Sequence, residues 1–154
     1  MLEFTYRPET NFQACKAALK NCTYLEDRMV DVEGYKIYGL PYQPTYYGWG
    51  FNREDNERAK LFGQIPKEAD IVMCHGPPYK ILDKCVDGYL AGCNYFRHEM
   101  LNRVKPLIVA FGHIHEDHGM KKVGSTMFVN SSNCTVRYQL KQPPEIIDLP
   151  RKKQ

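Results

Sequence analysis

Two short apolar runs, each ending in a histidine beside a glycine, constrain this chain more than any other feature. The first, Asp70-Ile-Val-Met-Cys74, leads into His75-Gly76-Pro77-Pro78; the second, Leu107-Ile-Val-Ala-Phe111, opens after Pro106 and leads into Gly112-His113-Ile114-His115. Runs this short, bounded by Gly and Pro, read as buried strands rather than helices. Parallel strands carry their carboxyl ends to one edge of a sheet, and open α/β sheets bind ligands there. The expectation is an α/β fold in which His75, His113 and His115 meet at that edge. Gly112 is expected to let the backbone turn, and in an extended segment residues i and i+2 project to one side.

Imidazole nitrogens suit zinc, manganese, iron or nickel, and three of them on neighbouring strand ends point to a metal site. His75 alone reads first as a satisfied polar residue near a turn, and His113 with His115 reads equally as that or as ligands; taken together, the matched strand contexts favour the metal. A two-metal hydrolytic site needs in addition a carboxylate bridging cations about 4 Å apart. The aspartates are Asp27, Asp31, Asp55, Asp70, Asp83, Asp87, Asp117 and Asp148, and none follows a buried strand beside a glycine.

Composition narrows the classes further. The 154 residues read as one domain, 1–154, with residues 1–10 lacking any period and expected to be poorly ordered, and residues 151–154 forming a basic tail. The formal charge of +3 is matched by Arg151, Lys152 and Lys153 alone, so the body is neutral and a nucleic-acid surface has little support. No apolar run of about 18 residues is present to span a membrane. Met1-Leu-Glu-Phe-Thr-Tyr6 lacks the basic start and apolar stretch of a signal peptide, so a cytoplasmic location is expected. The six cysteines include no Cys-x-x-Cys pair and read as reduced thiols; the sequons at Asn21, Asn130 and Asn133 then carry little weight.

Along the chain, Phe12–Lys20 predicts a helix capped by Asn11 or Thr10, with Phe12, Cys15 and Leu19 on one face. Met29–Val32 and Tyr35–Tyr38 predict a hairpin about Glu33-Gly34. Leu40–Phe51, dense in aromatics, reads first as an irregular segment packed on a sheet edge and second as a rim for a flat substrate. Asn52–Gln64 predicts a charged helix capped by Asn52, and Cys93–Val104 a helix with Phe96, Met100 and Val104 inward and His98 in solvent. Thr126–Asn130, Cys134–Gln139 and Glu145–Leu149 predict a three-strand meander.

Several stretches in order then carry a resemblance: Asn21–Asp27, Gly34–Gly39, Gly48–Asn52, His75–Pro78, Gly92-Cys93, Phe111–Glu116, and Asn133-Cys134 through Pro143-Pro144 to Asp148–Pro150. From Asn21 to Pro150 the chain resembles the calcineurin-like metallophosphoesterases, and within them the metallophosphoesterase-domain-containing family of animals. The resemblance implies the C-terminal half of an α/β sandwich, two packed mixed sheets flanked by helices, with a two-metal centre at the strand ends. It also implies metal-dependent hydrolysis of phosphate esters, often phosphodiesters, with nucleotides among the candidate substrates. By matching position His75 and His113 would bind one divalent cation (Mn, Fe, Zn or Ni) and His115 the other, with Gly112, Trp49 and Glu116 lining the substrate.

The family's opening motifs, Asp-x-His, Gly-Asp and Gly-Asn-His-Glu, are absent, and with them the bridging aspartate and the histidine expected to protonate the leaving group. Neither cation then has a full set of ligands, and no catalytic residue is assigned. The alternative function is a catalytically inactive truncated domain, serving as a binding or interaction module or arising from an incomplete gene product. His118, where the family leads one to expect an aromatic residue, reads as an exposed loop histidine before an extra ligand. The loss of strands is expected to leave an open sheet edge and apolar faces, which favour association or require a separate N-terminal half.

Overall fold

The computed structural model describes residues 12–152; the expectations for residues 1–10, for the Thr10 or Asn11 cap and for tail residues 153–154 lie outside them. In chain order the elements are α1 (Phe12–Ala18), β1 (Arg28–Val32), β2 (Tyr35–Leu40), β3 (Gln43–Pro44), β4 (Asn52–Arg53), α2 (Asp55–Gly63) and β5 (Ile71–Cys74). There follow α3 (Asn94–His98), which continues as a π-helical turn over Glu99–Val104, then β6 (Ile108–Phe111), β7 (Gly119–Val123) and β8 (Thr126–Asn130).

Six strands form one mixed sheet in the order β1-β2-β5-β6-β8-β7. The four inner strands are parallel, and each edge strand is the antiparallel arm of a hairpin. The β1–β2 hairpin turns at Glu33-Gly34 as expected, with φ of 52° and 81°, values that suit a two-residue turn matched to strand twist. Register places Tyr38, Val72, Val109 and Phe128 in one row across the sheet. This row, all buried, forms the core with Phe62 of α2, Phe96 of α3 and Met100 of the π-helical turn that follows it, the Phe62 and Phe96 rings lying 5.0 Å apart. Side chains of this kind contribute about 1.5–3 kcal/mol each when fully buried.

Among the described residues the second of the two expected sheets is represented by the two-residue ladder β3–β4 beside the six-stranded sheet. Cys134–Gln139 and Glu145–Leu149 are not strands. Cys134 makes an isolated bridge to Leu140, and Tyr138, with φ of 55°, closes a turn by donating its amide to the Thr135 carbonyl. Pro143 and Pro144 then remove two ladder donors. The third sheet strand expected from a meander is supplied instead by β7, whose Lys121 and Lys122 hide it from an apolar pattern and suit an edge.

Helix boundaries differ for local reasons. α2 starts at Asp55 because Glu54 and Glu57 form a capping box. Asn52 instead lies in β4 and holds the preceding loop, accepting from Tyr46 N and donating to the Tyr46 and Tyr47 carbonyls. α1 leaves Cys15 and Leu19 exposed, so the face predicted for it is not buried at those positions. The Cys93–Val104 helix keeps Phe96, Met100 and Val104 inward but widens to π geometry in its second half, Lys105 N bonding Met100 O at 3.1 Å. No described helix is long and apolar enough to cross a membrane.

Candidate functional site

β5 and β6 are adjacent and parallel, with Met73 opposite Ala110, so their histidines emerge side by side. Beyond the ladder Gly112 N donates to the His75 carbonyl at 3.0 Å. His75 Nε2 lies 3.0 Å from His113 Nδ1, with ring centroids 4.8 Å apart. One imidazole N–H therefore donates to the lone pair of the other.

His113 and His115 reach the same cleft, but not as neighbours on an extended strand. β6 stops at Phe111, and the backbone turns one residue later than expected, on His113 (φ 72°) rather than on Gly112. Ile114 N closes onto Gly112 O at 2.9 Å, and His115 begins a short 3₁₀ turn to Asp117. A left-handed non-glycine residue costs about 1 kcal/mol, so this loop must be held.

Asn130, fully buried at the end of β8, holds it: its Nδ2 donates to Ile114 O at 2.8 Å and Leu82 O at 3.2 Å, and its Oδ1 accepts from Ser132 N at 3.2 Å. The sequence marked Asn130 as a sequon and as the end of an apolar run, and neither signal points to this buried bracing role.

His115 is oriented on two sides. Its Nδ1–H donates to Thr135 O at 3.2 Å, which leaves the Nε2 lone pair as the acceptor, and its carbonyl accepts from Gln142 Nε2 at 2.7 Å. Burial pushes His113 down to about 4, helped by His75 and His115 and opposed by Glu116; burial and His115 also lower His75. Both shifts favour the neutral rings, one of which then donates an N–H to the other.

The cleft has a volume of about 380 Å³ and aromatic walls that include Tyr46, Trp49, Tyr89 and Tyr138. The Tyr46 ring meets His113 edge-on at 5.6 Å and Trp49 does so at 6.4 Å, while Tyr138 meets His115 at 5.4 Å. Both readings of the Leu40–Phe51 loop apply to different residues: Tyr42 and Gln43 are buried, whereas Tyr46 and Trp49 form rim. Tyr138, expected in a strand, was missed as a cleft residue because its turn brings it there.

Glu116 borders the cleft, with Oε1 accepting from Val86 N at 2.8 Å. His118 is half-buried rather than exposed, its Nε2–H donating to Pro143 O at 3.1 Å. His98 is exposed and bonded to Asn102.

A two-metal centre does not fit this donor set alone. Among the described residues no group of three His, Cys, Asp or Glu side chains is placed to hold a metal ion. His75 and His113 satisfy each other, and no carboxylate stands between the imidazoles to offset the charge of two cations.

No family model matches the chain. It is 42% identical over 146 residues to metallophosphoesterase domain-containing protein 1 of Homo sapiens, and equally to that of Mus musculus, over 94% of this chain and 44% of each relative. A UPF0046 protein of Caenorhabditis elegans is 35% identical over 138 residues, covering 89% of this chain and 35% of its own length. A crystal structure 17% identical covers 78% of this chain and 49% of its own, with a TM-score of 0.58, a likeness of fold alone. The chain thus spans less than half the length of the curated relatives it matches. At this identity over nearly its whole length, the chain belongs to the metallophosphoesterase-domain-containing family.

Proposed function

We propose that this chain supplies the histidine-bearing part of a metal-dependent phosphoesterase centre, corresponding to the C-terminal half of the family's sandwich. The carboxylate ligands come from the remaining family length. The observation that carries this is the meeting of His75 and His113 at 3.0 Å from two neighbouring parallel strands, with His115 on the same cleft. His75 and His113 are assigned to one divalent cation and His115 to the other, with manganese, iron, zinc and nickel all suited to imidazole. Bound cations of this kind activate water and stabilise charge on phosphoryl oxygens.

The residues of the chain contribute orientation and a dry wall. The Thr135 carbonyl presents His115 through Nε2, and burial favours for His75 and His113 the neutral form that a cation needs. The aromatic walls suit a phosphate ester with a planar group, such as a nucleotide. Trp49, Gly112 and Glu116 are assigned to that substrate side.

The test is hydrolysis of bis-p-nitrophenyl phosphate with added manganese. The chain alone is expected to be inactive, and activity is expected when it is co-expressed with the part of the human relative outside the match. Loss of that activity in His113→Ala supports the proposal; no activity in the combined protein, or activity indifferent to His113, overturns it. The mutual satisfaction of His75 and His113 favours a second reading, a non-catalytic interaction module, which the inactive combined protein would support.

A further inference from the structure

Two small fingers of chain outside the sheets are fastened to one turn. The first, Lys84–Leu90, is closed by an antiparallel bridge between its end residues and by Cys85 N donating to Tyr89 O at 2.8 Å. The second, Cys134–Leu140, is closed in the same way, with Thr135 N donating to Gln139 O at 2.9 Å. The turn is the 3₁₀ segment His115–Asp117.

Each residue of that turn holds a finger. Asp117 Oδ2 accepts from Lys84 N and Glu116 Oε1 from Val86 N, both at 2.8 Å, which fixes the first. His115 fixes the second through Thr135 O at 3.2 Å, and its carbonyl takes Gln142 Nε2 at 2.7 Å just beyond that finger. Asp83, only 1% exposed, closes the base of the first finger by accepting from Lys80 N at 2.9 Å and Gly92 N at 3.0 Å. Amide bonds to a carboxylate are about twice as strong as neutral ones, so the first finger is held although its surface is exposed.

Each finger carries a tyrosine on the cleft. Tyr89 is 67% exposed and Tyr138 74%, and both border the cleft together with Glu116. Neither ring belongs to the hydrophobic core, so core packing does not account for their placement. With both carboxylates of the turn engaged by amides, the fingers offer a ligand ring faces rather than charge. Bare aromatic faces on a cleft stack on flat partners.

We propose that the two fingers select the substrate: Tyr89 and Tyr138 take the planar ring of an aryl or heteroaryl phosphate ester whose phosphoryl group lies at the histidines. Glu116 and Asp117 are positioning residues that act through the first finger. This rests on the functional reading above and adds which residues choose the ester and by what property, its flatness. A saturated ring of the same size presents axial hydrogens and stands off from an aromatic face.

The experiment titrates the full chain, metal-free and isotope-labelled, with phenyl phosphate and with cyclohexyl phosphate, and reads affinity from NMR shifts. Phenyl phosphate is expected to bind about threefold more tightly or better, with shifts at Tyr89, Tyr138 and His115. Tyr89→Ala and Tyr138→Ala are each expected to erase most of that preference, and Tyr89→Phe and Tyr138→Phe to keep it. Ile146→Ala, on an exposed side chain that does not border the cleft, should leave it unchanged. Glu116→Ala is expected to lower the preference, and Glu116→Gln, which still offers Oε1 to Val86 N, to restore it.

Equal binding of the two esters, binding of neither, or a preference that survives both alanine changes overturns the proposal while leaving the functional reading standing. Loss of preference in Glu116→Ala and Glu116→Gln alike overturns the positioning role of Glu116. A phenyl preference carried by the tyrosines, found when the co-expressed protein hydrolyses no bis-p-nitrophenyl phosphate, supports the ring-binding fingers and overturns the functional reading alone.

Discussion

β5 begins and ends beside a polar residue, and the two ends are built in opposite ways. At its start Asp70 donates its amide to Lys36 O at 2.9 Å, and its carbonyl accepts from Leu107 N at 2.8 Å and Ile108 N at 3.3 Å. The Asp70 carboxylate accepts from Lys36 N and pairs with the Lys152 ammonium. Backbone and side chain of this one residue tie β2, β6 and the C-terminal segment together.

At the other end His75 bonds one further histidine and faces a cleft. In that cleft His113 and Tyr138 hold φ of 72° and 55°, conformations that bulky residues adopt at some cost. Paired and hydrogen-bonded polar groups stabilise one end; the other opens on an aromatic-walled cleft available to a ligand. The same strand thus carries a tied polar residue at one end and a cleft at the other.

The contrast can be broken from either side. The largest effect is expected from His113→Ala, which should lower the activity of the completed protein by at least about 100-fold. The same change should shift unfolding of the chain in urea by less than about 1 kcal/mol. A severe loss of stability would show that the histidine end is structural after all.

Asn130→Ala should cost about 2–3 kcal/mol, because it strands the Ile114 and Leu82 carbonyls and the Ser132 amide in the interior. Denaturant titration reads this, and activity should fall with it because the His113 loop loses its support. Asp70→Ala should cost about 1–2 kcal/mol, measured in the same way. It should leave the histidine contacts seen in NMR spectra unchanged.

The smallest effect, and the sharpest comparison, lies in pH. Burial opposes ionisation of Asp70, but its bonds to Lys152 and to Lys36 N outweigh this and hold the carboxyl below its ordinary 3.8. Its stabilisation is present above that value and is lost as pH falls through the lower folded one. His113 is lowered from 6.5 to about 4, so folding favours its neutral form. That contribution is present above 6.5 and is lost as pH falls from 6.5 towards 4, and His75, moved in the same direction, adds to it. Thermal melts of the metal-free chain should therefore fall in two windows. His113→Ala should flatten the upper window and Asp70→Ala the lower. A melting temperature constant from pH 6.5 to 4 would contradict the burial of the histidine pair.

What was legible in the sequence followed strength of local pattern. The β1–β2 turn, β5, β6 and β8 each combine a short apolar run with a clear Gly, Pro or Asn boundary, and each formed where expected. β7 was invisible because Lys121 and Lys122, one on each face, break the apolar alternation, and it is a strand through pairing with β8. The run from Cys134 to Leu149 failed the other way: its β-branched and aromatic residues suggest strands, but a left-handed Tyr138 and two prolines leave nothing to pair.

By itself the sequence determined that two buried strands end in histidines and that the chain belongs with the metallophosphoesterase-domain proteins. These are local or compositional facts, carried by runs of a few residues. Only the tertiary structure decided that His75 and His113 touch across 38 residues, that the turn falls on His113, that Thr135 selects the His115 tautomer, and that Met73 is left uncovered. Those depend on sheet register and on what other segments cover, and non-local pairing of that kind leaves no period in the chain to be read.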